Sequence, residues 1–268
     1  SKDFAAKWGF EKAYGSYREL CDDPDVELVY VATPHSHHLD PVKMALNAGK
    51  PVLCEKSFAA NAREAGEMIG LSHEKGVFLC EAMWTRFLPL SLKISELLKS
   101  GVIGEPKSLY ANLSYPVSWK PRLQKAELAG GALLDLGVYC INFARMYFGD
   151  DIERIETTCL KGGENDAVDM QETITMVYRD GRIANLQSSA LCASARTGMI
   201  CGTEGYLMVD NINCPELVTI FNKNHETVAE YRNPEPMITG FEYEVRACID
   251  SIKAGRIESE FIPHDETL

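Results

Sequence analysis

Apolar and polar positions follow two different rhythms along this chain, and the change of rhythm divides it. In the first third, short apolar runs at 26–33, 51–55 and 77–83 are separated by amphipathic stretches at 39–48 and 61–75. Runs of that length read as strands buried on both faces, and apolar residues recurring every three or four positions read as helices lying over them. The pattern predicts an α/β unit built on a parallel sheet of the doubly wound, Rossmann type. Gly49 falls where a helix C-cap belongs, and Asn61 where an N-cap belongs.

Beyond residue 106 strand-like runs succeed one another with few helices between them, at 108–115, 152–160, 172–178, 182–189, 197–201, 206–210 and 217–221. Such a meander predicts an α+β domain with a large, open, mostly antiparallel sheet. Two helices interrupt it, at 132–148 and 241–254, each stopped by a glycine, Gly149 and Gly255. The turn at Gly104-Glu105-Pro106 marks the predicted boundary, giving domains 1–105 and 106–268.

Composition narrows the function classes. A formal charge of −12 repels polyanions, which argues against nucleic acid as the partner. No uninterrupted apolar run reaches the roughly 20 residues of a bilayer span, so no membrane role is expected. Nine cysteines without a C-x-x-C pair point to reduced thiols and a cytoplasmic setting.

Four segments carry residues fit for chemistry. Val52-Leu53-Cys54-Glu55-Lys56 is a strand ending in an ion pair, at the edge where open parallel sheets bind ligands. A lysine after a strand is ordinarily just a solvated cation. From Gly130-Gly131, a helix through Asp135, Tyr139 and Asn142 places these three on one stripe, which on an apolar helix ordinarily faces solvent. His35, His37 and His38 come just after a strand end at Thr33-Pro34. Neighbouring loop histidines rarely face one ion and no Cys or carboxylate cluster accompanies them, so a cofactor-side loop is expected and no metal. Trp84-Thr85-Arg86-Phe87-Leu88-Pro89 reads as an aromatic plug before a helix started by proline.

In this order the segments resemble the Gfo/Idh/MocA oxidoreductase family over essentially the whole chain. Thr33-Pro34 with His38 is similar to its T-P-x-x-x-H loop, 49–56 to its G-K-x-V-x-x-E-K-P strand, and 202–205 to its G-T-x-G turn. The stretches 84–89 and 137–139 resemble the branch of dimeric dihydrodiol dehydrogenases and NADP-linked D-xylose dehydrogenases. Ser57 departs from the motif's proline, and no G-x-G-x-x-G occurs. The family's first strand, glycine turn, first helix and second strand are therefore expected before Ser1, and the last residues resemble the start of a final helix.

The resemblance implies a hydride transfer between NADP, or NAD, and the hydroxyl carbon of a sugar, polyol or dihydrodiol. It makes Tyr139 the general acid/base, Lys56 beside it the charge that favours phenolate, and Asp135 the positioning group. Asn142, Asp135, Lys56 and Tyr139 are expected to bind substrate. Thr33, Pro34, His35, His38, Glu55, Lys56, Trp84 and Arg86 are expected on the cofactor. The family's open sheet implies a homodimer or homotetramer. Two other readings stand beside this one: a non-catalytic dinucleotide- or sugar-sensing protein on the same scaffold, and a truncated, inactive fragment. The joint presence of Lys56, Asp135 and Tyr139 favours catalysis over the first, and solubility with a cooperative melt would count against the second.

Overall fold

The structure is a computed structural model and describes residues 1–233 and 237–268. Helices α1 (Lys2–Trp8) and α2 (Tyr17–Asp22) lead into β1 (Val29–Val31), α3 (Leu39–Asn47), β2 (Val52–Glu55), α4 (Ala62–Lys75) and β3 (Leu79–Ala82). After them come α5 (Pro89–Lys99), β4 (Pro106–Ser114), α6 (Pro121–Gln124), a π-helical turn Leu133–Gly137, and α7 (Val138–Phe148). Seven strands come next: β5 (Ile152–Gly162), β6 (Val168–Tyr178), β7 (Ile183–Ser189), β8 (Gly198–Gly202), β9 (Gly205–Val209), β10 (Leu217–Asn222) and β11 (Thr227–Arg232). Helices α8 (Phe241–Lys253) and α9 (His264–Thr267) close the chain.

Contacts divide the chain into two units, Ser1–Ala82 with Val245–Leu268, and Met83–Glu244. Both borders differ from the single division expected at Pro106, and individual bonds explain why. Trp84 and Arg86 are tied by hydrogen bonds to α7, and the Tyr147 hydroxyl donates to the Ser91 carbonyl on α5, so 83–105 belongs with the second unit. The end of the chain returns to the first unit, where the Leu79 amide donates to the Ile257 carbonyl at 2.9 Å.

In the first unit β1, β2 and β3 are parallel and adjacent in that order. Val29, Val31, Val52, Cys54 and Leu79 pack with Val42 and Leu46 of α3 and Met68 of α4 in one buried cluster. The Asn61 side chain accepts from the Glu64 amide at 3.1 Å, and Gly76 ends α4 at φ 62°, so both ends of that helix are set locally.

Burial lowers the His264 imidazole below its ordinary value. Its Nε2 donates to the Leu79 carbonyl at 2.9 Å, so Nδ1, 3.1 Å from His73 Nε2, accepts when the ring is neutral. The unfolded chain binds this proton more readily than the folded one. Stability is therefore complete above the unfolded value of about 6.5 and is lost as pH falls from there through the lower folded value. Melting curves between pH 8 and 5 are expected to show this loss, and His264→Gln to flatten it.

In the second unit eight strands run in the order β11-β10-β9-β8-β4-β7-β6-β5. Every neighbouring pair is antiparallel except β4 and β7, whose loops consequently leave from the same edge. Val168, Met170, Glu172, Ile174, Met176 and Tyr178 alternate as the buried positions of β6, beneath the π turn and α7. The stretch Ala126–Phe148 is long and apolar enough to cross a membrane, contrary to the expectation from sequence. It is nonetheless broken into 3-10, π and α segments, and half of it is buried as a core element.

Candidate functional site

In the second unit the residues singled out on the predicted helix 132–148 are brought to one place, on a different backbone. Leu133–Gly137 is a π turn and only Val138–Phe148 is α-helical. The glycines explain how it sits so low on the sheet. A Cβ on Gly131, whose φ is +104°, would stand 2.3 Å from Asp169 Oδ1, and one on Gly137 would stand 2.7 Å from Glu172 Oε1. Asp169 Oδ2 accepts from the Leu133 amide at 2.5 Å, placing a carboxylate at the start of the helical segment.

The stripe is buried, not solvent-facing: Asp135, Tyr139 and Asn142 are 6%, 8% and 8% exposed. Asp135 receives both terminal nitrogens of Arg122, at 2.8 and 3.0 Å, in a bidentate pair. The Tyr139 hydroxyl oxygen accepts from the Trp84 indole N–H at 3.1 Å. Asn142, expected to touch substrate, has its amide engaged by two side chains of the second unit. Its Oδ1 accepts from Arg86 Nε at 2.6 Å and its Nδ2 donates to Thr85 Oγ1 at 2.9 Å, which clamps the 3-10 turn Trp84–Phe87 to α7. Trp84 and Arg86, expected on the cofactor, each hydrogen-bond to the helix that carries Tyr139.

In the first unit the loops leaving the carboxyl ends of β1 and β2 hold the remaining expected residues. His38 is fully buried, with Nε2 and Nδ1 at 2.8 and 3.0 Å from the carbonyl oxygens of Thr33 and Phe58. It fastens the first loop to the second. Thr33 donates to the His37 carbonyl at 3.0 Å, Pro34 is exposed, and His35 is buried with its ring edge-on to His38. Glu55 Oε1 accepts from the Tyr30 hydroxyl and its Oε2 from the Lys56 amide, while Lys56 itself stands half-buried at the strand's end. Among the described residues no three His, Cys, Asp or Glu side chains gather as a metal site.

Sequence reasoning missed Arg122 and Asp169. Arg122 stands on the short helix α6, 13 residues from Asp135, and no periodicity links them. Asp169 lies on β6, and only the glycine pair at 130–131 hinted that something approaches that turn closely.

A parallel sheet whose loops leave its carboxyl edge has the arrangement at which open α/β folds bind ligands, and the family comparisons make the class that of nicotinamide-dependent oxidoreductases. Residues 1–82 match the model of the oxidoreductase family with NAD-binding Rossmann fold, and residues 91–208 match the GFO/IDH/MocA C-terminal domain. The chain is 35% identical over 278 residues to the trans-1,2-dihydrobenzene-1,2-diol dehydrogenase of Danio rerio, spanning 100% of this chain and 81% of that protein. A 3-ketoreductase of Actinomadura kijaniata solved with NADP and TDP-benzene superposes with a TM-score of 0.85 at 26% identity, covering 99% of this chain and 81% of that one. An aldose-aldose oxidoreductase of Caulobacter crescentus, solved with glycerol, shares the fold at a TM-score of 0.87 and 21% identity, over 99% of this chain and 81% of that one. The chain belongs to the Gfo/Idh/MocA family of oxidoreductases.

Proposed function

We propose that the chain oxidises one carbinol of a vicinal diol, in a dihydrodiol, sugar or polyol, with NADP preferred over NAD. The observation that carries the reading is the buried Tyr139 hydroxyl oxygen, which accepts from Trp84 in a family whose curated relatives include diol dehydrogenases. The loops at the carboxyl edge of β1 and β2 fit a dinucleotide, because Thr33, Pro34 and His35 leave one strand and Glu55 and Lys56 the next. His38 serves that surface from beneath, by holding the two loops together. A nicotinamide held there would supply the acceptor for the hydride of the carbinol carbon.

The chain's own residues handle the proton and the orientation. Tyr139 removes the hydroxyl proton. A phenol of ordinary pKa near 10 is a weak base at neutral pH, which is the reason a neighbouring ammonium is assigned beside it, and the Trp84 N–H fixes the position of its oxygen. Asp135, fixed by Arg122, is the positioning group for the second hydroxyl. Lys56 is assigned as the other catalytic group on its motif and its place at the end of β2. A homodimer is proposed through the open face of the eight-stranded sheet, where Tyr110, Leu160, Ile183 and Met208 are exposed. Nine free cysteines support a reducing, cytoplasmic setting.

Turnover of a trans-dihydrodiol and of an aldose, each with NADP and with NAD, tests the reading. Higher kcat/KM with NADP is expected, and a clear preference for NAD rejects that part of it.

A further inference from the structure

Beneath the π turn lies a carboxyl group that the proposed reaction does not use. Glu172 of β6 is 4% exposed and occupies one of the core-facing positions of its strand. Its Oε1 accepts from the Ser188 hydroxyl on β7, while its buried Oε2 meets no donor among the described residues and has the Asp169 carboxyl as a neighbour, with which only a protonated Glu172 can share a hydrogen bond. A buried carboxylate oxygen left unpaired is costly, so a carboxyl kept there needs a reason.

The reason lies in what rests on it. Gly137, two residues before Tyr139, approaches so closely that any Cβ would stand 2.7 Å from Glu172 Oε1 and 2.8 Å from Ser188 Oγ. At the other end of the same turn Asp169 holds the Leu133 amide. The turn that carries Asp135 and delivers Tyr139 is therefore seated on two carboxyl groups of one strand. π turns of this kind frequently mark functional sites.

We propose that Glu172 is a positioning residue for Tyr139: neutral, its carboxyl seats Gly137 and the start of α7 at working height, and ionised, it unseats them. The proposal rests on the oxidoreductase reading given above, in which Tyr139 is the base. The groups facing Glu172 are Asp169 on its own strand, Ser188 on β7 and Cys140 on α7; Asp135, paired with Arg122, stands on the seated turn. Burial first, and the nearby Asp169 as well, push the Glu172 carboxyl up to about 7, against the Ser188 hydrogen bond, which pulls it down. A second negative charge beside Asp169 disfavours the seat. The switch therefore operates around neutral pH.

Glu172→Gln keeps the shape and stays neutral at every pH. The ratio of its kcat to that of the wild type is expected to be level below pH 6. It should then rise by about threefold or more across neutrality, as the wild type alone loses its seat, while KM is unchanged. A ratio flat with pH overturns the proposal. A second readout needs no substrate. Trp8 and Trp119 are exposed at 61% and 70%. With both replaced by Phe, the emission of Trp84, which bonds the Tyr139 hydroxyl, is expected to titrate near pH 7 and to lose that titration in Glu172→Gln. Identical emission profiles with and without Glu172 overturn the seat.

Absence of turnover in the wild type would sink the reaction and leave the emission titration to decide Glu172 by itself. Should Glu172→Gln not fold, Ser188→Ala takes its place: losing the hydroxyl raises the Glu172 pKa, so the emission titration moves to higher pH. An unmoved titration overturns the proposal.

Discussion

Tyr139→Phe is expected to lower kcat by roughly 10²- to 10⁴-fold, the range for removing a positioned acid/base group, while nucleotide affinity stays close to that of the wild type. Only one oxygen is removed. The ring remains among the buried residues of α7, so packing and backbone are preserved and the loss is chemical. The Trp84 N–H, which donates to that oxygen at 3.1 Å, loses its acceptor, and a modest loss of stability of about 1 kcal/mol accompanies the change. Single-turnover kinetics with NADP and a diol, with nucleotide affinity measured separately, make the check. A variant with near-normal kcat removes Tyr139 from the mechanism.

The second large effect is expected at Gly131→Ala, which touches no reacting group. Its φ of +104° is strained for any residue with a side chain, and the new Cβ would lie 2.3 Å from Asp169 Oδ1 and 3.2 Å from the Asp169 carbonyl oxygen. Asp169 cannot simply swing away, because its other oxygen holds the Leu133 amide. Strain and the lost bond together amount to about 3 kcal/mol. At 2–4 °C per kcal/mol, Tm falls by roughly 6–12 °C. Gly76→Ala is the control. Gly76 also has positive φ, +62°, but nothing stands within 4 Å of its added Cβ, so only the backbone term of about 1 kcal/mol applies. Calorimetry of the two variants separates them, and equal losses would show that the close approach at Gly131 carries no energy.

The two variants also mark how far sequence could be read. The central strands were legible because a parallel strand buried on both faces is apolar without interruption, as Val52-Leu53-Cys54 is. Strand β11 was not, since it lies at the sheet's end with most of its residues exposed, and solvent imposes no apolar pattern there. Helix 132–148 was found by its period, but π and α turns draw on the same apolar residues, so Leu133–Gly137 was placed correctly with the wrong winding. Tyr139, Asp135 and Lys56 emerged from motif and family resemblance. Their surroundings did not: Arg122 reaches Asp135 across a loop, Trp84 reaches Tyr139 across 55 residues, and Glu172 read as one polar position in an alternating strand. The return of the chain's end to the first unit rests on bonds such as Leu79 to Ile257, which leave no trace in any local pattern.

Hydride leaving a carbinol carbon for a nicotinamide is the event on which every assigned role depends. The purified protein is incubated with oxidised NADP and a trans-dihydrodiol deuterated at both carbinol carbons, and the nucleotide product is weighed. Reduced nucleotide carrying one deuterium is the predicted result; no reduced nucleotide, or reduced nucleotide without the label, contradicts it.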